Sequence, residues 1–253
     1  MAFDKELALA HRWCDETDAI ALEHFRIGAL TEIKDDGTPV TMGDREVERA
    51  LRVSIERAFP RDAILGEEEG ATGSGARRWI IDPIDGTKNY ARGVPVFATL
   101  IALVVDESPV LGVVSAPGLG LRWYATRGTG AFASGGPIHV STIESLAESD
   151  VITGGIDWAE DLGATERALE LFRRARRQRG FGDFWGHMLV AQGSAEVMVE
   201  FAPLALWDIA APKLIVEEAG GRVTSFDGDP SLRPGPVLAT NRSVHAEALK
   251  VLS

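Results

Sequence analysis

The stretch that decides the fold is WIIDPIDGT, residues 79–87. A short apolar run of β-type residues ends at two acids, Asp82 and Asp85, that bracket a turn. Pro83 has no N–H and restricts Asp82 to an extended conformation, so the carbonyls of the turn are left free to coordinate a cation. The pattern therefore predicts a buried strand that ends in a polar site.

A second acidic cluster, Glu67 to Glu69, follows another short apolar run at residues 63–65. If the two strands are neighbours in one sheet, the two sets of carboxylates converge at its edge. Carboxylates that meet at one point repel each other and must protonate or bind cations. Hard oxygen ligands in that number suit Mg²⁺ or Mn²⁺. The alternative is that the acids are solvated loop ends.

Two further features complete the predicted site. Gly86 and Thr87 offer adjacent backbone N–H groups, which would hold phosphate if a helix begins there. Asp208, in WDIAA at residues 207–211, lies at the predicted start of a helix, where it could also be an ordinary N-cap. Carboxylates on one side and N–H groups on the other are typical of metal-assisted phosphoryl transfer.

The rest of the chain alternates between helical and strand patterns, which favours a layered α/β or α+β fold. We expect one domain, residues 1–253, with a soft boundary near 135–145 where Gly, Pro and Ser cluster. A polar stretch at 31–43 predicts a hairpin or mobile loop. Helices are predicted at 3–25, 44–59, 164–177, from 188, 208–219 and 245–252, and strands at 63–65, 79–81, 96–105, 110–115, 121–125, 151–154, 196–201, 222–225 and 237–240.

The amino-acid composition argues against several classes of protein. The chain of 253 residues carries 26 Lys and Arg against 38 Asp and Glu, a formal net charge of −12. Such an acidic protein is a poor candidate for binding nucleic acid or anionic membranes. The single cysteine, Cys14, permits no intrachain disulfide. The N-terminus lacks the apolar core of a signal peptide and no apolar run reaches about 20 residues, so we expect a soluble cytoplasmic protein.

Three motifs resemble, in order and spacing, the signatures of the inositol monophosphatase superfamily. They are GEE at 66–68, WIIDPIDGT at 79–87, and WDIAA at 207–211 with EAGG at 218–221. The resemblance covers nearly the whole chain. It implies a five-layer α-β-α-β-α sandwich of the α+β class. It also implies a Mg²⁺-dependent, lithium-sensitive phosphomonoesterase, usually a homodimer, with two or three ions for which Mn²⁺ could substitute.

The same resemblance implies roles for individual residues. Metal would be held by Glu67, Asp82, the Ile84 carbonyl, Asp85 and Asp208. Asp44, Thr87 and Glu67 would be catalytic, with Asp44 and Thr87 orienting and deprotonating the attacking water. Gly86 and Thr87 would hold phosphate oxygens, and Lys34 would be a basic loop residue near the metals. Substrate would contact Glu67, Asp85, Gly86, Thr87, Arg179, Asp183, Phe184, Glu200 and Asp208.

The segment RGFGDFWGH, residues 179–187, is similar to the branch of the family that acts on histidinol phosphate. GVP at 93–95 and GVVSAP at 112–117 favour the same branch. Histidinol phosphate carries an ammonium and an imidazole, for which an acid beside aromatic rings is a plausible receptor. Asp183 would pair with that cationic end, Phe184 would supply an N–H or a ring face, and Arg179 would steady the acid or the phosphate. His187 is predicted as a core residue of the next helix.

Two positions depart from the family pattern. The acid upstream of the Trp-Asp motif, Glu200, lies eight positions before Asp208, one more than in many relatives. Pro212 lies near the start of a helix, where proline costs little only in the first turn.

An inositol-1-phosphate or sugar-phosphate phosphatase is the main alternative, and an inactive regulatory subunit is a remote one. An aspartyl-phosphate enzyme is out of register, because two residues separate Asp82 from Asp85. GTGAFA at 128–133 formally fits a dinucleotide fingerprint, yet Gly135-Gly136-Pro137 follows where a helix should run, so a turn is expected. The arginines between 173 and 179 predict a solvated helix face or a dimer rim.

Overall fold

The structure, a computed structural model, describes residues 3–27, 31–33 and 39–253. Its helices are α1 (Asp4–Ile27), α2 (Met42–Ala58), α3 (Thr87–Ala91), α4 (Asp157–Asp161), α5 (Thr165–Arg174), α6 (Asp183–Ala191), α7 (Leu206–Glu218) and α8 (His245–Leu252). Its strands are β1 (Thr31–Ile33), β2 (Pro39–Thr41), β3 (Ala63–Gly66), β4 (Gly70–Thr72), β5 (Arg77–Asp85), β6 (Ala98–Val105), β7 (Ser108–Ala116), β8 (Leu121–Thr126), β9 (Ala131–Ala133), β10 (Gly136–Ile138), β11 (Asp150–Thr153), β12 (Arg177–Arg179), β13 (Val197–Leu204), β14 (Arg222–Thr224) and β15 (Gly235–Thr240).

Two large sheets organise the chain. The first has eight strands in the order β10-β9-β8-β7-β6-β5-β3-β4, and the second has five in the order β12-β11-β13-β15-β14. The chain passes from the first sheet to the second after β10, near the soft boundary expected from composition. Helices α1 and α2 cover one face of the first sheet, α6 and α7 lie between the sheets, and α4, α5 and α8 cover the far face of the second. This is the predicted α-β-α-β-α sandwich.

Strand β5 shows why the first sheet is buried on both faces. Alternate residues point to opposite sides of a strand. Ile80 packs in the core between the sheets, whereas Trp79 and Ile81 pack against α1 and α2. All three side chains are at most 2% exposed. The apolar run that precedes Asp82 is therefore continuous because both of its faces meet helices.

The relation of β3 to β5 positions the acidic residues. The two strands are parallel neighbours, with Gly66 opposite Ile81. The residues that follow each strand therefore emerge at the same edge of the sheet, which confirms the condition on which the predicted convergence of carboxylates depends. Strand β5 itself continues through Asp82 to Asp85, with a register irregularity between them in its pairing with β6.

Several element boundaries differ from the predicted ones. Helix α6 begins at Asp183, five residues earlier than predicted, and α5 ends at Arg174 instead of 177. Residues Arg177–Arg179 form the edge strand β12, paired in parallel with β11. Charged side chains suit such an edge because one side of the strand is open.

Helix α7 begins at Leu206, which places Pro212 at its seventh residue rather than in the first turn. The condition under which proline would cost little is therefore not met. Proline lacks the N–H that would bond to the carbonyl four residues earlier, here that of Asp208. The same part of α7 packs closely on β7. If Gly112 on β7 carried a side chain, its Cβ would lie 2.9 Å from the Ala211 carbonyl oxygen. Gly112 thus permits the close approach of α7 to the sheet.

GTGAFA at 128–133 lies in the connection from β8 into β9, as expected of a turn, so the dinucleotide reading is wrong. None of the helices in the described ranges combines the length and the apolarity of a membrane span. Lys34 lies outside the described residues.

Candidate active site

Three carboxylates converge where β5 ends. Asp82 and Asp85 come from β5 and Asp208 comes from the first turn of α7, and one ligand oxygen from each lies within 4.8 Å of the others. Asp82 is 1% exposed, and within the described chain its Oδ1 has no hydrogen-bond partner. Because buried polar atoms are almost always paired, an orphaned carboxylate oxygen aimed into an acidic cluster indicates a place for a cation. The donor set fits a hard divalent ion.

The electrostatics of the cluster agree with that interpretation. Burial, and then repulsion from Glu67, Asp85 and Asp208, raises the pKa of Asp82 well above its ordinary value. Burial and the neighbouring acids also raise the pKa of Asp85, and burial with repulsion from Glu67 raises the pKa of Asp208 to about 7. Without a cation, burial and mutual repulsion therefore favour the protonated forms of these carboxylates.

Two backbone donors hold the cluster in place. The Phe184 N–H donates to Asp85 Oδ2 at 2.6 Å, so the start of α6 fixes one carboxylate of the cluster. The Ala205 N–H donates to Asp208 Oδ2 at 2.6 Å, which makes Asp208 an acid in the first turn of α7 rather than the N-cap itself. Each carboxylate keeps a second oxygen for other contacts.

Asp44 and Thr87 lie beside this cluster. Asp44 Oδ2 accepts the Thr41 backbone N–H at 2.8 Å and the Thr41 hydroxyl at 2.6 Å, which locks the fully buried carboxylate at the start of α2. The Thr87 Oγ1 lies 2.9 Å from the Ile84 carbonyl oxygen and 3.4 Å from Asp44 Oδ1. A hydroxyl has one proton and can also accept, so Thr87 can pass a hydrogen bond to Asp44 while it accepts another.

The three carboxylates of the cluster and Thr87 line one cavity, which we call the acidic pocket. It has a volume of about 530 Å³. The acidic pocket is lined by Glu67, Asp82, Ile84, Asp85, Gly86, Thr87, Lys88, Trp158, Asp183, Ala202, Pro203, Leu204, Ala205, Trp207 and Asp208. Helix α3 begins at Thr87, and Gly86 before it has φ 84°, a left-handed conformation that glycine adopts without strain. A helix therefore begins after the DPIDGT turn, which meets the condition under which Gly86 and Thr87 would hold phosphate.

A second cavity of about 760 Å³, the side pocket, adjoins the acidic pocket. The two cavities share Lys88, Trp158 and Asp183 among their walls. Arg179 also lines the side pocket, where its exposed guanidinium donates to the Gln178 carbonyl at 2.8 Å. The side pocket thus extends the site away from the carboxylate cluster.

Glu200 lies at the base of the side pocket. It is 4% exposed and its Oε2 has no hydrogen-bond partner among the described residues. A Cβ at Gly182 would come within 2.7 Å of that oxygen, so the glycine leaves the space that Glu200 occupies. Burial, and then the charge of Asp183, raises the pKa of Glu200 to about 8. Glu200 thus lines the side pocket although it lies eight positions before Asp208.

Asp183 stands between the two pockets. Its backbone φ is 53°, which is unusual for a residue other than glycine but common for Asp and Asn. The loss of water in the cleft raises the pKa of Asp183, and the Lys88 ammonium opposes that shift. Lys88 also lies 5.9 Å from the centre of the Trp158 ring. Sequence reasoning missed both residues: Lys88 directly follows the motif, whereas nothing near Trp158 in the sequence signals it.

Phe184 and His187 occupy the core rather than the cleft. The Phe184 ring is 1% exposed and packs near Trp123 and Trp185, while its N–H is engaged by Asp85. In this structure the Phe184 ring lies in the core and its N–H holds a carboxylate of the cluster, whereas a contact of Phe184 with substrate stays a prediction. His187 is 1% exposed, and burial lowers its pKa to about 4, as expected of a core histidine.

The fold and the carboxylate cluster together define a metal-dependent hydrolase of the layered-sandwich class. Comparison with known proteins gives the family: residues 4–253 match the inositol monophosphatase family. The chain belongs to that family, as the three motifs predicted.

Individual relatives extend this result. The chain is 43% identical to a histidinol-phosphatase of Streptomyces coelicolor, over 98% of this chain and 97% of that one. It is 44% identical to a histidinol-phosphatase of Mycobacterium tuberculosis, over 98% of both chains. The solved structure of a Thermotoga maritima IMPase superposes with a TM-score of 0.89 at 34% identity, covering 98% of this chain and 96% of that one.

Proposed function

We propose that this protein is a Mg²⁺-dependent phosphomonoesterase that hydrolyses L-histidinol phosphate to L-histidinol and phosphate. The observation that carries the proposal is the junction of two pockets, one lined by the cluster of Asp82, Asp85 and Asp208 and the other by Glu200, with Asp183 between them. The first suits a metal-bound phosphate, and the second suits a cationic amino alcohol. The similarity to two histidinol-phosphatases supports the same substrate.

The metal ligands would be Glu67, Asp82, the Ile84 carbonyl, Asp85 and Asp208, all of which line the acidic pocket. Bound divalent ions would polarise the phosphate ester and lower the pKa of a bound water. The orphaned Oδ1 of Asp82 would gain a partner by this binding. The Ile84 carbonyl already accepts the Thr87 hydroxyl, but a carbonyl oxygen has a second lone pair to offer.

Asp44, Gly86 and Thr87 would act on water and phosphate. Asp44 would accept a proton through Thr87, whose hydroxyl lies within 3.4 Å of Asp44 Oδ1. The N–H groups of Gly86 and Thr87, at the turn into α3, would hold phosphate oxygens. No side chain forms a bond to phosphorus in this scheme; the chain positions the attacking water and stabilises the charge.

The side pocket would recognise the amino-alcohol end. Glu200 and Asp183 would face the ammonium or the imidazole, and an adjacent cation would favour the ionised form of both acids. Arg179, on the rim, would steady Asp183 or the phosphate. A neutral polyol such as myo-inositol would not supply the positive charge that these acids require. A homodimer and a cytoplasmic location remain predictions of the sequence.

Replacing Asp183 with Asn is expected to raise KM for L-histidinol phosphate by roughly 10-fold or more, since a hydrogen bond to a charged group contributes about 1.5–3 kcal/mol. Asn tolerates the left-handed backbone at this position, so the fold should be kept. Steady-state kinetics measure KM, and Mn²⁺ binding should be unchanged. Asp161→Asn, an exposed acid of α4 that lines neither pocket, is the control. An unchanged KM in Asp183→Asn would remove Asp183 from substrate binding.

A further inference from the structure

A buried acid on α2 reaches the turn that carries Glu67. Glu48 is fully buried, yet its carboxylate spans from the helix to the end of β3. Its Oε2 accepts the Glu68 N–H at 2.7 Å and its Oε1 accepts the Glu69 N–H at 2.9 Å. The two residues that follow Glu67 are therefore tied to α2 through one side chain.

Arg52, one turn further along α2, completes the connection. Its Nε donates to Glu48 Oε1 at 2.8 Å, and its two terminal nitrogens donate to the Gly70 carbonyl and, at 3.3 Å, to the Thr72 hydroxyl. Arg52 is itself only 5% exposed. The Glu48–Arg52 ion pair thus holds both the turn that follows β3, through Glu48, and the residues of β4, through Arg52.

The residue before Glu67 is also constrained. A Cβ at Gly66 would overlap the Glu48 carboxylate, so only glycine fits between the strand and the ion pair. Backbone contacts on both sides of Glu67 therefore originate from one carboxylate. The side chains of Asp44, Glu48 and Arg52 recur at intervals of four, which places them on one face of α2. One helix thus carries both Asp44 and the group that holds the turn of Glu67.

A buried ion pair such as Glu48–Arg52 contributes little net stability to a fold. Removing two charges from water is unfavourable, and replacing a buried ion pair with apolar side chains is often neutral or stabilising. Here both carboxylate oxygens of Glu48 accept N–H groups of the turn that follows β3, and Arg52 Nε donates to one of them. We propose that Glu48, oriented by Arg52, is a positioning residue that sets the backbone of Glu67 for metal binding. The inference rests on the proposed function, in which Glu67 is a metal ligand.

The test compares two carboxylate-to-amide variants at opposite ends of β3. Glu48→Gln weakens the hydrogen bonds from the Glu68 and Glu69 N–H groups, because an amide presents only one acceptor oxygen. Asp62→Asn, just before the strand, is the matched control, because Asp62 accepts from Arg77 Nε at 2.7 Å and Trp79 Nε1 at 2.9 Å and lines neither pocket. Mn²⁺ binding is measured by electron paramagnetic resonance, and amide hydrogen exchange is measured on the metal-free proteins.

Glu48→Gln should bind Mn²⁺ roughly 10-fold more weakly, as is typical when an outer partner of a metal ligand is lost. The amides of Glu68 and Glu69 should exchange faster in that variant. Asp62→Asn should match the wild type in both measurements, even if it unfolds at a lower temperature. Arg52→Lys keeps the charge without the planar fork, and it should weaken Mn²⁺ binding in the same direction.

The outcomes separate the two proposals. If Glu48→Gln or Arg52→Lys binds Mn²⁺ as tightly as the wild type, the positioning role is wrong. A loss of affinity as large in Asp62→Asn as in Glu48→Gln would also overturn it, since it would reflect general destabilisation. If the wild type binds no Mn²⁺, or binds it equally well after Asp82→Asn, the proposed function fails instead, whatever the exchange of the two amides shows.

Discussion

Asp82→Asn is expected to lower kcat/KM for L-histidinol phosphate by roughly 1,000-fold or more. Metal ions contribute several kcal/mol of transition-state stabilisation, and about 1.4 kcal/mol corresponds to each factor of ten. Asp82 lies at the centre of the cluster, with Asp85 and Asp208 beside it and one oxygen unpartnered among the described residues. Steady-state phosphate release over a range of Mg²⁺ concentrations measures the effect, and added Mg²⁺ should not restore the rate.

The same variant should stabilise the metal-free protein. The acids of the cluster have pKa values raised by folding, so the folded state binds more protons than the unfolded state above about pH 4. The free energy of unfolding of the metal-free wild type therefore falls as pH rises through the folded pKa values, which for Asp208 is about 7. Removing one charge reduces that fall. Full activity in Asp82→Asn, or a metal-free variant less stable than the wild type at pH 8, would contradict this account.

Asp44→Asn is expected to lower kcat by roughly 100- to 10,000-fold, the range of general acid–base catalysis, with little change in KM. The amide keeps an oxygen for the bonds from Thr41 but cannot accept a proton. Mn²⁺ binding should persist, because Asp44 is not among the proposed ligands. Steady-state kinetics measure the loss of kcat, and Mn²⁺ titration shows whether metal binding is kept.

Thr87 provides the matched pair for this prediction. Thr87→Ser keeps the hydroxyl that lies 2.9 Å from the Ile84 carbonyl oxygen, whereas Thr87→Val removes it at nearly constant volume. The serine variant should retain most of the activity, and the valine variant should resemble Asp44→Asn. Equal losses in both, or a wild-type kcat in Asp44→Asn, would show that the pair does not act on the attacking water.

The acidic pocket was predictable because its main parts are local. An apolar run that ends in acids carries both the strand and its ligands, and parallel pairing of β3 with β5 then brings Glu67 towards Asp82. The family resemblance assigned Asp208 and Asp44, which lie far from that stretch in sequence. The layered fold followed from the alternation of strand and helix patterns, and the structure confirms it.

The side pocket was less predictable because its walls come from distant segments. Trp158 on α4 meets Lys88 on α3 only after the chain has folded. The segment from 179 to 187 contains polar and glycine residues that obscure the start of α6 at Asp183. The helix begins there because Phe184 is buried in the core. The sequence also did not indicate the buried ion pair of Glu48 and Arg52, because a charged pair four residues apart on a helix ordinarily lies at the surface.

The most direct test of the central claim is a comparison of two substrates with the purified protein. Phosphate release is measured with L-histidinol phosphate and with myo-inositol 1-phosphate, in the presence of Mg²⁺ and again with excess EDTA. We expect kcat/KM to be at least about 10-fold higher for L-histidinol phosphate, because its cationic end meets Glu200 and Asp183, and we expect EDTA to abolish both activities. Equal rates on the two esters would contradict the proposed substrate, and activity that survives EDTA would contradict the metal-dependent site.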